Sequence, residues 1–286
     1  MKRLFAYPYI VWMVIFILVP ILLVVYYSVT VTGPDGEVYF SLANFQRFFA
    51  PMTPEQPFFE RIFVRVATRS IRLAAWSTLI CFVIGYPVAY IMAGKGFSDK
   101  SFLLFLFLVP MWMNLLVRSY AWLAILERNG FLNTFLSNSG LPTIDILFTD
   151  TAVRLGMVYN FLPFMILPIY AVLKKMDTRL IEAAQDLGAS NLQVFLRVVF
   201  PLSFPGVVSG ITMVFMPSAA TFIIANLLGG GQFFLLGNLV EQQFLQVGNW
   251  HFGSAVAVIM MILMVISMLI LSQFDREDIR EGGTLF

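Results

Sequence analysis

The stretch Ile181–Pro201, IEAAQDLGASNLQVFLRVVFP, sets Glu182, Gln185, Asp186, Ser190, Asn191, Gln193 and Arg197 between two apolar blocks. Its local signals read as two short helices joined by a turn. Asp177 or Thr178 can cap the first, and RLIEAAQDL places Glu182 and Asp186 four apart on one face. Gly188 is placed to end it, since glycine enters the left-handed conformation without strain. Ser190, with Gln193 three residues on, makes a capping box for the second helix. LQVFLRVVF carries that helix into the next apolar block, with Pro201 at the point of entry. A short surface helix on two legs can pass force between a soluble partner and the apolar segments. Burial of Leu180, Ile181 and Ala184 in a partner's cleft would give affinity, and Glu182 would fix register. An amphipathic helix lying in the membrane interface with no partner is the competing reading.

The blocks on either side belong to an integral membrane protein. Of 286 residues, 59% are hydrophobic and 12% charged, with 30 Phe and 15 Met. A formal charge of +2 gives no reason to expect nucleic acid. Cys81 has no second cysteine and lies in an apolar run, so it reads as packing. His251 is the one histidine, too few for a metal site of the usual kind. No phosphate-cradling glycine loop or G-x-S-x-G nucleophile motif is present, which argues against a self-contained enzyme. The apolar run after Lys2 and Arg3 is too long for a signal-peptide core and reads as a retained span.

A crossing helix needs about 20 apolar residues. Six spans are predicted: 9–31, 72–94, 101–125 (interrupted by Arg118), 154–173, 202–226 and 253–273. They form one transmembrane domain over 1–286, with the water-facing loop at 176–200. Gly229, Gly230 and Gly231 are expected to end the fifth span. QFFLLGNLVEQQFL then forms a short helix near or partly back in the membrane. Six spans put both termini on one side. If that side is cytoplasmic, ten of the 18 Lys and Arg face inward and eight outward, with every lysine inside. That is a thin margin under the positive-inside rule. Arg61, Arg65, Arg69 and Arg72 make a stripe on one helix face. Interfacial anchoring with local pairing to Glu55 and Glu60 explains it, and docking of an external partner is the alternative.

The opening stretch resembles the cytoplasmic EAA loop of bacterial ABC-importer permeases: E-A-A, three residues, G, nine residues, then I-x-L-P. Here Glu182, Ala183 and Ala184 are followed by Gly188 and by Val198-Val199-Phe200-Pro201, with two apolar replacements and the spacing intact. The resemblance implies an all-α membrane protein of the six-helix, MetI-like ABC importer permease type, with this loop as the coupling helix. Glu182, Ala183, Ala184, Asp186 and Gly188 would then meet a cytoplasmic ATPase. LANFQRFF, GYPVAYIMA, VPMWMNLLVRSYAW, YNFLPFMILPIY and NLLGGG…LGNLVEQQFLQVGNW further resemble the polyamine (spermidine/putrescine) permeases, and among them the first of two permease subunits. The family implies a second homologous permease, two copies of an ATPase carrying ATP and Mg, an extracytoplasmic substrate-binding protein, and no cofactor in this chain. It also places the chain in the bacterial plasma membrane, multi-pass, with both termini cytoplasmic.

A polyamine path calls for carboxylates, aromatic faces and amide oxygens. No acid falls clearly within a predicted span. Glu241, on the predicted re-entrant helix, is the best candidate, with a solvated loop residue as its alternative. Asn226 is a second candidate, where related polyamine permeases often carry an acid. Tyr86, Trp112 and Tyr120 are candidate path aromatics, with membrane-interface anchoring or plain packing the alternative for each. Arg118 would repel a polycation and is expected to be structural, bonded to carbonyls near the outer span ends. Gly206 and Gly210 suit close helix packing, either within the chain or between permeases. The sparse acids leave open an ABC importer of another small solute, such as a metal–anion complex, thiamine or an opine. A self-sufficient channel or secondary transporter is the distant alternative, and it leaves the coupling loop without a purpose.

Overall fold

The computed structural model describes residues 7–51, 57–58, 61–94 and 100–282. The chain is an all-α membrane protein with one small hairpin. Its elements, in order, begin with α1 (7–28, a helix containing a π-turn at Val14–Leu18), β1 (Thr30–Thr32) and β2 (Val38–Phe40). Then come α2 (Ala43–Phe49), α3 (Ile62–Ala93), α4 (Lys100–Trp112), α5 (Leu115–Leu126) and α6 (Phe131–Asn138). The chain continues with α7 (Asp150–Lys175), α8 (Thr178–Asp186), α9 (Asn191–Ala220), α10 (Ile223–Leu228), α11 (236–246) and α12 (Trp250–Gly282). Among the described residues, five helices are long and apolar enough to cross a membrane, or six if the bent pair of the third span counts as one.

The described residues up to Ser70 pack with Phe234–Val265 as one compact unit; Ile71–Phe233 and the residues from Ile266 onward form a second. In the first unit, Phe48, Val64, Ala67, Leu236, Leu239, Phe252 and Val256 form the core. Phe63 stacks on Phe48 at 5.8 Å and tilts against Phe252 at 5.1 Å, and the Arg47 guanidinium lies 4.5 Å over the Phe252 ring. The hairpin pairs Thr30 with Phe40 and Thr32 with Val38. Beside its turn, the Tyr39 hydroxyl donates to the Asp35 carboxylate and holds that carboxyl below its ordinary value. His251 ties α12 to this hairpin: Nε2 lies 3.0 Å from the Thr32 hydroxyl, and Nδ1 lies 3.1 Å from the Thr30 hydroxyl and 3.2 Å from the Tyr27 carbonyl. A carbonyl only accepts, so Nδ1 carries the proton.

In the second unit α7 and α9 pack along their length. Gly206 and Gly210 of α9 face α7: a Cβ on Gly206 would come within 3.0 Å of the Pro168 carbonyl, and one on Gly210 within 2.8 Å of the Met165 sulfur. The pair therefore serves packing within the chain. Pro163 and Pro168 stay inside α7 without ending it. Two of the three π-turns precede a proline, Val14–Leu18 before Pro20 and Phe195–Val199 before Pro201. A wider turn relieves the clash of a proline ring with the carbonyl four residues back.

Two elements differ from the sequence expectation. The third span is not interrupted at Arg118. It breaks at Met113–Asn114 with a bend of 100°. Asn114 is the cause that the sequence offers: its side-chain oxygen accepts from the Leu116 N–H at 2.8 Å and caps a new helix, α5, in which Arg118 is an ordinary helical residue. The fifth span's helix ends at Ala220, where Thr221 turns extended, and α10 then carries the chain to the glycines. The pairing of the arginine stripe with Glu55 and Glu60 lies outside the described residues, as do Lys2, Arg3 and Lys95. Within them, Arg61 donates to the Phe49 carbonyl and lies 5.2 Å over the Phe58 ring.

Candidate functional site

The loop between α7 and α9 is built from local backbone chemistry. α7 ends at Lys175, and Asp177 opens α8 by accepting from the Arg179 N–H at 2.9 Å. At the far end the Gly188 N–H bonds the Gln185 carbonyl at 2.9 Å and the Ala189 N–H bonds the Ala184 carbonyl at 3.1 Å. These two bonds define a Schellman cap, which needs a left-handed residue at Gly188, where φ is +84°. Ser190 and Gln193 then complete a reciprocal capping box: the Ser190 N–H donates to Gln193 Oε1 at 2.9 Å, and the Gln193 N–H to Ser190 Oγ at 3.4 Å.

Two stripes run along α8. Leu180, Ala183 and Leu187 are exposed, with Leu187 90% and Leu180 48% accessible. They recur at the three- and four-residue spacing of one helix face. Ile181 does not belong to that face. It turns inward with Thr178, Glu182 and Gln185 to wall a cavity of about 400 Å³, closed on the other side by Tyr90, Ile91 and Val199 among others. The outward apolar contacts are therefore Leu180 and Leu187, and Ile181 is lost from the expected set because its neighbour is the chain's own bundle. Glu182, Ala183 and Asp186 are exposed and Ala184 is half-buried.

The other predicted residues are dispersed. Glu241 closes the first half of α11, half-buried, and Asn226 is exposed on α10. Trp112 ends α4 at 80% exposure, and Tyr120 is exposed on α5. Tyr86 is only 5% exposed; its hydroxyl is 2.8 Å from the Ser203 hydroxyl, and its ring packs on Phe82, Phe195 and Phe200. It joins α3 to α9 as packing. Arg118 is not bonded to carbonyls: its Nε and Nη1 are buried without an acceptor. Asn133 of α6, which sequence reasoning passed over, clamps the loop between α6 and α7 to the end of α5. Its Nδ2 donates to the Glu127 and Ile144 carbonyls at 3.1 and 2.9 Å, and its Oδ1 accepts from the Ile144 N–H at 2.7 Å. Among the described residues no His, Cys, Asp and Glu cluster could hold a metal.

A loop capped at both ends, leaving and rejoining two packed apolar helices, is the part of this chain that can be gripped from water. Residues 85–277, which contain all of it, match the family described as binding-protein-dependent transport system inner membrane component. The chain belongs to that family. This permease is 40% identical over 259 residues to the spermidine/putrescine transport system permease protein PotB of Haemophilus influenzae, covering 89% of this chain and 87% of that one. It is 38% identical over 270 residues to PotB of Escherichia coli K12, covering 93% and 94%. In fold it is similar to a chain of a bacterial ABC transporter that imports the acidic polysaccharide alginate, with a TM-score of 0.78, 16% identity and 96% of each chain covered.

Proposed function

We propose that this permease is the PotB-type subunit of an ATP-driven spermidine/putrescine importer. The observation that carries the reading is the 38–40% identity to two PotB proteins, each covered over about nine-tenths of its length. On this reading the chain supplies half of a translocation path opposite a second, homologous permease. Two cytoplasmic ATPases bind ATP with Mg and carry out the hydrolysis, and an extracytoplasmic binding protein delivers the cargo. Both termini and α8 lie on the cytoplasmic side.

α8 is the coupling helix in this scheme. Leu180, Ala183 and Leu187 enter the ATPase groove, Glu182 and Asp186 set register, and Gly188 holds the helix against the following turn. The exposure of two leucines on a water-facing helix supports this role, because a lone surface leucine at 90% exposure gains from burial only when a partner covers it. Glu241 and Asn226 are the proposed cation contacts of the path; Trp112 and Tyr120, both exposed, are assigned to the membrane interface and Tyr86 to packing.

The test is uptake of labelled spermidine and putrescine by a strain lacking the chromosomal copy, with and without the gene restored. Restored uptake of either polyamine is the expected result. Uptake unaltered by deletion removes the polyamine assignment, and purification of the chain without any associated ATPase removes the coupling role.

A further inference from the structure

Arg118 forms no ion pair among the described residues. Only 8% of its surface is exposed, and its Nε and Nη1 find no acceptor, which leaves Nη2 as the accessible edge of the guanidinium. It stands in the first turn of α5, whose amino end is itself positive. There the Asn114 side chain satisfies the Leu116 N–H, and a helical side chain leans toward that end. Two positive features thus converge on the elbow between α4 and α5. A charge held this way in an apolar segment finds either an anion or a membrane headgroup.

The side chains around the elbow favour the headgroup. α4 has 13 residues and α5 has 12, so each is roughly 18–20 Å long. Neither crosses a hydrocarbon core of about 30 Å, and the two meet at 100°. Trp112 and Tyr120 are exposed around the bend, and Trp122, one turn past Arg118, packs edge-on against Tyr159 at 5.2 Å. Tryptophan and tyrosine gather at the headgroup level of a bilayer. Leu116 and Val117 beside them are exposed and apolar, a surface suited to acyl chains.

We infer that Arg118 and the amino end of α5 hold the phosphate of a membrane phospholipid, which pins the elbow of the third span. The polyamine cargo plays no part in this site, since a polycation cannot neutralise it, and the inference stands or falls apart from the cargo assignment. Arginine suits the task because its guanidinium stays protonated in an apolar setting, where a buried lysine readily loses its charge.

The test uses the assembled transporter, stripped of lipid in a sugar detergent, with thermal stability and lipid retention as readouts. Short-chain phosphatidylglycerol is titrated against an uncharged glycolipid of the same chain length and against inorganic phosphate. The wild type should be stabilised by phosphatidylglycerol alone. Arg118→Gln should retain it about tenfold to a hundredfold less well, as expected for one or two lost charge-assisted hydrogen bonds, and Arg118→Lys should lie between. Equal responses to phosphatidylglycerol and the glycolipid in the wild type overturn the inference, and that comparison needs no variant to fold. An equal shift with inorganic phosphate assigns the site to free phosphate and overturns the lipid. Loss of the second permease from Arg118→Gln, with lipid retention unchanged, assigns the partner to a protein carboxylate and likewise overturns it.

Discussion

Substitution of Gly188 separates backbone geometry from contact in the loop proposed to couple the ATPase to the permease. At φ +84° the residue lies where an L-amino acid is strained, yet a Cβ there would meet no atom within 4 Å. Gly188→Ala therefore costs only the left-handed penalty, about 1–2 kcal/mol, which lowers the ratio of formed to unformed turn by roughly 5- to 30-fold. Gly188→Asn should cost less, since its short polar side chain tolerates that region. Gly188→Pro cannot reach a positive φ and also loses the N–H that bonds the Gln185 carbonyl at 2.9 Å. Its penalty is about 3 kcal/mol or more. All three changes lie in water, so membrane insertion should match the wild type. The assay is polyamine-stimulated ATP hydrolysis and uptake by the transporter reconstituted with its ATPase and binding protein. Coupling should fall in the order Gly, Asn, Ala, Pro. A proline variant that couples normally, or an alanine variant worse than proline, would refute the assignment of this turn as the joint that orients α8.

Leu187→Ala should weaken ATPase binding by about 2 kcal/mol, the loss expected for deleting most of a side chain buried at the partner; a titration with purified ATPase that finds equal affinity removes Leu187 from the interface. Gly206→Ala should lower the melting temperature, because the new Cβ sits 3.0 Å from the Pro168 carbonyl and 3.1 Å from Ile169 Cα, backbone atoms with little room to yield, and a cost of about 1–3 kcal/mol follows. An unchanged melting temperature would show that α7 and α9 separate more easily than their packing suggests. Asn133→Ala should expose the loop between α6 and α7 to protease, since it removes three hydrogen bonds to Ile144 and Glu127 at about 0.5–1.5 kcal/mol each; a cleavage rate equal to the wild type contradicts the clamp. Glu241→Gln should raise the KM for spermidine more than for putrescine, because the longer cation makes more of its contacts through charge, and equal effects on both speak against Glu241 as a charge contact.

What the sequence makes legible here is what the backbone decides locally. Gly188, Ser190 with Gln193, and Asp177 act within a few residues of themselves, and each takes the cap or turn that its chemistry favours. The long apolar helices are legible for the same reason, because a bilayer leaves the chain few ways to satisfy its own backbone. Features fixed by distant neighbours were not legible. The break of the third span is a separate case: Asn114 makes it locally by capping the Leu116 N–H, next to a charge at Arg118 that marks the run more conspicuously. The inward turn of Ile181 depends on which face of α8 meets α3 and α9, and no periodicity over nine residues reveals that. Tyr86 reads equally well as a path aromatic or as packing until Ser203 is brought to its hydroxyl from over a hundred residues away.

The same contrast bears on how a pull on α8 is passed on. α8 hangs from α7 by the two residues Met176 and Asp177 and is joined to α9 through the capping box at Ser190. Each joint is short and saturated with hydrogen bonds, so neither leaves slack to absorb a displacement. Above them α7 and α9 are held together at Gly206 and Gly210 with backbone nearly touching backbone, a contact that resists sliding because any change of register drives a side chain into a space that only glycine fits. A force applied at Leu180 and Leu187 therefore moves α7 and α9 as one body before it parts them.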